Sequence, residues 1–448
     1  MKTWIRYGRG HLDLAVPDGA RIIQSPLVQP LANPVGRITE ALERPIHAEP
    51  LSRLAEKLGP HARVVVVISD ITRPVPNQVL LEPLLAKLTA AGVEPQRITI
   101  LIATGLHRPS TPEEKIELVG EEIAQNYRML DHRADEQESL VALDVFTPHG
   151  QQVWIDKEYF QADFKIITGF IEPHMMVGYS GGRKAICPGL VNLETIQQFH
   201  GPDLLENPNS KAGVLDANPC HQEALAVARA AGVDFMLNVI VNPDKEILAV
   251  FAGHSEHAHA QGVDWLEQHC TISDVGLYDI VLTCGGGYPL DTTFYQAVKG
   301  MVFAKPLIKP GGTMVIASSC SEGIGSDDYR RILFEYSHSW TDFMADILSR
   351  EEVQLDQWEL QVQCGVLKKI GKSNLLFASD GIEPQTLTKC NVTPVTDRVS
   401  GSKDPASLIQ KLLDELAEQQ PGASWAVMPD GPYVLIKTHN NSQKNYLE

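Results

Sequence analysis

The chain has little that would tie it to a metal cluster, a membrane or a nucleic acid. Its seven cysteines are scattered, odd in number and contain no CxxC pair, so they do not form the spacing of a zinc site. Such thiols read as reduced, and the expected compartment is the cytoplasm. No apolar run approaches the roughly 20 residues of a membrane-spanning helix. The opening MKTWIRYGRGHLDLAVPDGA carries charges where a signal peptide needs its apolar core. Basic charge is scarce: 38 Lys and Arg stand against 56 Asp and Glu, a net charge of −18. Phosphate backbones demand clustered cations, so nucleic acid is not an expected partner. No internal repeat or low-complexity segment is visible. At 448 residues the chain exceeds one ordinary core, and two α/β domains are expected.

What is present is concentrated in three segments: VVVVISDITRP (Val64 to Pro74), TILIATGLHRP (Thr99 to Pro109) and KIITGFIEPHMMVGYSGGRK (Lys165 to Lys184). Each starts as an apolar, β-branched run, the pattern of a strand buried on both faces of a parallel sheet. Each then breaks into a loop carrying Asp, Arg, His or Lys. Ligands bind outside the carboxyl ends of strands in open α/β sheets. Asp70, Arg73, His107, Arg108, His174 and Lys184 are therefore expected around one crevice.

The surrounding pattern alternates strand and helix. Helices are expected from Gln78 to Ala91, through Glu194 to His200 and from Gln222 to Ala231, with a strand from Phe235 to Val241. Thr111-Pro-Glu-Glu114 reads as a helix N-cap. A second βαβ unit opens at Asp279, with a helix from Phe294 to Ile308 and a strand from Thr313 to Ser318. The expected architecture is α/β: two domains, each a largely parallel sheet flanked by helices, with the active site in the cleft between them. The expected domains are residues 1–271 and 272–404. A helix near 405–418 is expected to pack back on the first domain, and residues 438–448 to form a disordered tail.

Single residues are open to plainer readings. The loop Gly178-Tyr-Ser-Gly-Gly-Arg-Lys184 is neither a Walker A motif nor GxGxxG. It is either a tight structural turn or a backbone cradle for an anion. Lys184 could be a nucleophile or a covalent anchor if a neighbour such as Arg183 lowers its pKa. His107 and His174 sit in equivalent positions after their strands. A lone histidine is often a structural hydrogen-bonder, but a matched pair suits proton transfer on two faces of one substrate, as in racemisation. Arg73 is either solvated or grips a carboxylate. His200 is either a helix-end residue favoured by the dipole or a single metal ligand whose partners come from a cofactor. His149, His221, His254, His257 and His259 are expected at the surface. In the second domain, Tyr295 and Lys299 share a helix face beside Gln296, after the glycine loop at Cys284.

Taken together, DITRPVP, TGLHRP, EPHMMVGYSGGRKAICPG, the later FHG and DTTFYQAVKG resemble the motifs of the nickel-dependent lactate racemase family, in order, over nearly the whole chain. The resemblance implies a nickel-pincer nucleotide, a pyridinium mononucleotide with sulfur groups, tethered as a thioamide at Lys184. It implies His200 as the protein ligand to nickel, and His107 and His174 as the acid/base pair. It implies Asp70, Thr72, Tyr179, Ser180, Gly181, Gly182 and Arg183 at the cofactor, with Arg73, Tyr295, Gln296 and Lys299 at the substrate. The implied reaction is racemisation or epimerisation of a small 2-hydroxy acid by hydride transfer, with cofactor-biosynthesis enzymes as maturation partners. Lactate, malate and sugar acids stay open; a second cation would favour malate, and Arg108 is either that cation, a residue that faces away or a contact of a cofactor phosphate. The alternatives are a pyridoxal-phosphate racemase using Lys184, a non-catalytic nucleotide-binding protein, and an NAD-dependent dehydrogenase. The last would need GxGxxG on the first strand, where DITRP stands instead.

Overall fold

The computed structural model describes residues 1–59, 61–273, 275–402 and 404–437. The chain forms two compact units. The N-terminal unit comprises Leu27–His200 and Glu206–His269; the C-terminal unit comprises Met1–Pro26, Gly201–Leu205 and the chain from Cys270 on.

In the N-terminal unit six strands build one sheet: β1 (Val64–Ser69), β2 (Ile98–Ala103), β3 (Arg128–Asp131), β4 (Phe164–Phe170), β5 (Phe235–Val241) and β6 (Ile247–Gly253). Their order is β6-β5-β4-β1-β2-β3. All neighbours are parallel except β5 and β6. β1 and β2 are buried along almost their whole length, which is why their sequences show no alternation. Helix α1 (Asn77–Ala90) covers them with Leu80, Leu84 and Leu88, all fully buried beside Val66 and Ile100. Fully burying such a side chain contributes about 1.5–3 kcal/mol. The chain runs from β1 outward through β2 to β3, then returns to the other side of β1 with β4. The order thus reverses between β1 and β4, and a switch point of this kind opens a crevice at the carboxyl ends of the two strands. Helix α2 (Pro112–Val119) starts in a full capping box between Thr111 and Glu114.

In the C-terminal unit β7 (Tyr278–Cys284), β8 (Ile308–Ala317), β9 (Leu375–Ala378), β10 (Thr393–Pro394) and β11 (Trp425–Val427) form a wholly parallel sheet, closed at one edge by Arg21–Ile22.

The domain boundaries differ from expectation. The amino-terminal hairpin (Lys2–Tyr7 with Gly10–Ala15) belongs to the C-terminal unit, because Ile5, Leu14 and Val16 share a core with Ile280, Leu282 and Val427. The helix Pro405–Gln419 also packs there, burying Leu408, Ile409, Leu412 and Leu413 in the same core rather than on the first sheet. The helix expected to reach Ile308 stops at Ala304. Pro306 cannot continue it, and β8 takes over at Ile308. The tail expected at 438–448 lies outside the described residues. No helix among the described residues is long and apolar enough to cross a membrane.

Candidate active site

The candidate site residues Asp70, Arg73, His107 and His174 lie on loops that follow strands of the N-terminal sheet. β1 ends at Ser69 and the next residue, Asp70, is buried. His107, on the loop after β2, donates from Nδ1 to Asp70 Oδ2 at 2.5 Å. Thr72 Oγ1 donates to Asp70 Oδ1 at 2.7 Å. Burial alone would raise the Asp70 carboxyl. The hydrogen bond and charge of His107, then Arg73 and Thr72, outweigh it and hold the group below its ordinary value. A carboxylate that stays ionised keeps the proton of neutral His107 on Nδ1, so Nε2 carries the lone pair. The His107 loop is itself pinned: Thr104 Oγ1 donates to His132 O at 2.7 Å and the Ser110 amide donates to Asp131 Oδ1 at 2.9 Å. Arg73 is half-buried and makes no salt bridge among the described residues; its only side-chain bond is a long one to Thr72 Oγ1, at 3.5 Å. Of the readings open for Arg108, the placement matches the one in which it faces away. It is exposed and held by both oxygens of Glu114, at 2.8 and 2.6 Å.

His174, after β4, has the opposite arrangement. The amides of Met176 and Val177 donate to its Nδ1, at 3.2 and 3.4 Å. Nδ1 is thus the acceptor and Nε2 holds the proton in the neutral ring. Two histidines on neighbouring loops thus present opposite groups at Nε2, a lone pair on His107 and a proton on His174.

The glycine loop that follows is anchored residue by residue. Tyr179 donates to Glu267 at 2.7 Å, Ser180 Oγ donates to Phe170 O at 3.0 Å, and the Gly182 amide donates to Asn238 Oδ1 at 2.8 Å. Gly178 has φ +82° and a Cβ there would lie 2.0 Å from Val214 O, so only glycine fits. Tyr179, Ser180 and Arg183 are all buried. Arg183 is expected to lend charge to an anion cradle and to lie at the cofactor. Its guanidinium instead turns inward, bonding Val177 O at 2.9 Å and Gly181 O at 3.3 Å. The side chains of these three residues hold the loop, while Lys184 stands half-buried in the turn Gly182–Ala185.

His200 closes the helix Leu193–Phe199. Its Nδ1 donates to Ile196 O at 2.8 Å, leaving the lone pair on Nε2. Burial drives its pKa down to about 4, with the charge of Lys184 acting in the same direction and the Ile196 carbonyl opposing. A neutral imidazole of fixed tautomer suits a metal bound through one protein nitrogen. Among the described residues no group of three or more His, Cys, Asp or Glu side chains is arranged to hold a metal ion. A metal at His200 would therefore draw its other donors from a cofactor, and the residues fit that chemistry.

In the C-terminal unit the helix Phe294–Ala304 starts at the N-cap Thr293. Tyr295 accepts a hydrogen bond from Trp358 Nε1 at 2.7 Å. Gln296 Oε1 is buried without a hydrogen-bond partner among the described residues, a mark often left by a ligand or water.

Sequence reasoning missed the polar layer behind the glycine loop. His259, expected at the surface, is buried, with Nε2 2.9 Å from Arg183 Nη1. His221 lies mostly buried, and His149 donates to the buried Glu223 at 2.8 Å. Only helical spacing could have hinted at this, since His259 falls on the same face as Gly262, Val263 and Leu266 of its helix. Burial first, and the charge of Arg183 second, push His221 and His259 each down to about 3. Both stay neutral in the folded chain, whereas an unfolded histidine titrates near 6.5. With His200, held near 4, the unfolded chain below about pH 6.5 therefore binds up to three histidine protons that the folded chain does not. From these histidines stability is intact above that pH and falls as the pH drops towards 4, by up to about 4 kcal/mol per unit. Denaturant midpoints at pH 7, 6 and 5 check this; a flat profile contradicts it.

Comparison with known proteins gives a consistent result. The family model described as the lactate racemase N-terminal domain matches residues 7–213, and that for the lactate racemase C-terminal domain matches residues 274–435. A lactate racemase of Thermoanaerobacterium thermosaccharolyticum is 33% identical over 402 residues, 89% of this chain and 90% of that protein. A lactate racemase of Lactiplantibacillus plantarum is 32% identical over 407 residues, with the same shares covered. The solved lactate racemase apoprotein of T. thermosaccharolyticum superposes with a TM-score of 0.87 at 32% identity, covering 98% of this chain and 100% of that one. A Thermotoga maritima protein at 19% identity shares the fold, with a TM-score of 0.67 over 92% of this chain and 100% of that one.

Proposed function

The chain belongs to the lactate racemase family, and on that premise we propose that it racemises a small 2-hydroxy monocarboxylate by hydride transfer, with a nickel-pincer nucleotide attached at Lys184. The observation that carries the reading is the pair of opposed tautomers: His107 with its lone pair on Nε2 and His174 with its proton there. Racemisation by this route needs one group that takes the hydroxyl proton and gives it back, and a second that donates a hydrogen bond to the same oxygen.

When bound, the nucleotide supplies the centre that accepts hydride from C2 and returns it. His200 Nε2 would be its protein donor to nickel, and Lys184 Nζ its point of attachment. His107 Nε2 receives the hydroxyl proton, and Asp70 stabilises the imidazolium that results. His174 directs its Nε2 proton at the substrate oxygen as a hydrogen-bond donor, and the proton held by His107 goes back to that oxygen when the hydride returns to the opposite face. Arg73, which forms no salt bridge among the described residues, would grip the substrate carboxylate and fix its orientation. The resemblance adds Tyr295, Gln296 and Lys299 as residues whose replacement lowers activity. Arg108 is already neutralised by Glu114, which supports lactate over malate. Seven free cysteines fit a reducing cytoplasm.

The test is a chiral assay on protein co-produced with the cofactor-synthesis enzymes, given D-lactate or D-malate without NAD. D-lactate should lose enantiomeric purity, faster than D-malate by about ten-fold or more, the scale of one unmatched carboxylate. A protein that carries the adduct yet racemises neither acid would overturn the proposal.

A further inference from the structure

The buried layer beneath the glycine loop contains a cation without a counter-ion. Arg183 is 4% exposed and forms no salt bridge among the described residues. Its Nη2 donates to Val177 O at 2.9 Å. Its Nη1 faces His259 Nε2 at 2.9 Å, Gly181 O at 3.3 Å and Ser180 O at 3.5 Å, and its Nε has no partner. A buried guanidinium is tolerated only where acceptors surround it. Here three of the four are carbonyls of the loop that leads into Lys184, and the fourth is His259, from the helix Ser255–Cys270.

His259 Nε2 lies 2.9 Å from both Arg183 Nη1 and Ser180 O. One nitrogen cannot accept from the first and donate to the second. Beside a permanent cation it must be the acceptor, so His259 is neutral with its proton on Nδ1. A Cβ on Gly182 would sit 2.9 Å from the His259 ring, and one on Gly181 would sit 2.6 Å from Asn238 Oδ1. The loop backbone thus rests directly on these two side chains.

We propose that His259 is a positioning residue for Lys184: as the side-chain acceptor of the buried Arg183 it keeps the guanidinium locked onto the loop carbonyls, and the locked loop presents Lys184 for covalent attachment. The attachment itself rests on the function proposed above; the locking does not.

Two readouts separate these. The first is amide hydrogen exchange of residues 177–184 in the cofactor-free protein. The second is the fraction of Lys184 carrying the adduct, read by intact mass after co-production with the cofactor-synthesis enzymes. His259→Leu removes the acceptor; it should speed exchange in the loop, and lower the adduct fraction, by about ten-fold or more, the scale of one buried hydrogen bond lost. His259→Gln restores a carbonyl acceptor and should return both to within about three-fold of wild type. Should His259→Leu fail to fold, His259→Gln against His259→Asn decides the matter, since asparagine is one methylene too short to reach Arg183. Unchanged loop exchange in His259→Leu, or no difference between the polar variants, overturns the proposal. Wild-type loop exchange as fast as that of an open turn overturns it as well. Adduct missing from wild type, with the loop protected, would count against the attachment reading and leave the locking intact.

Discussion

Replacing Lys184 by alanine is expected to abolish racemisation, by at least about 10⁴-fold, together with the adduct seen in the intact mass. The side chain sits half-buried in the turn Gly182–Ala185, and its charge reaches His200, Cys187 and Cys220. No second lysine lies on the loop between Phe170 and Lys184, so no other amine of that loop can take its place. Lys184→Arg should fail equally, because a guanidinium keeps the charge but is a poor nucleophile and cannot form the same linkage. Neither change removes a buried apolar group, so stability should shift by less than about 1 kcal/mol. The checks are intact mass, chiral assay and a denaturation curve on each variant. Racemisation persisting in Lys184→Ala would refute the anchoring role.

Much of this was legible before any coordinates. β1, β2 and β4 stand out because a strand buried on both faces needs an unbroken apolar run, and the loops that follow carry their residues in plain order. Asp70, His107, His174 and Lys184 could therefore be placed at one sheet edge. Their pairing could not. Asp70 and His107 are 37 residues apart, and nothing local says that the carboxylate meets the imidazole rather than a cofactor. Arg183 and His259 are 76 apart. A cation in a glycine loop reads as an anion binder until the burial of its guanidinium is known. The expected first domain, 1–271, takes in the hairpin at Lys2–Ala15 for the same reason. Nothing local says which sheet it covers, and Ile5, Leu14 and Val16 share a core with Leu408 and Leu412 about 400 residues on.

The exchange Asp70→Asn should lower kcat by about 10²- to 10⁴-fold while leaving the fold and the adduct in place. Thr72 donates its hydroxyl proton to Asp70 Oδ1, so an asparagine there will keep its carbonyl oxygen towards Thr72 and turn its NH₂ towards His107. The NH₂ donates to Nδ1, and the proton of the neutral imidazole moves to Nε2. His107 and His174 then both offer a proton where substrate binds, and neither offers a lone pair. The loss should fall on kcat rather than KM, because Arg73 is untouched. It should persist at higher pH, since the defect is the position of a proton and not the degree of ionisation. His107→Ala, which removes the ring altogether, should be no better. The intact mass separates the two roles open to Asp70. Adduct present with kcat reduced identifies it as the group that orients His107, whereas adduct lost identifies it as a contact of the cofactor. A variant that keeps both adduct and kcat within about three-fold of wild type would show that the tautomer of His107 does not govern the reaction.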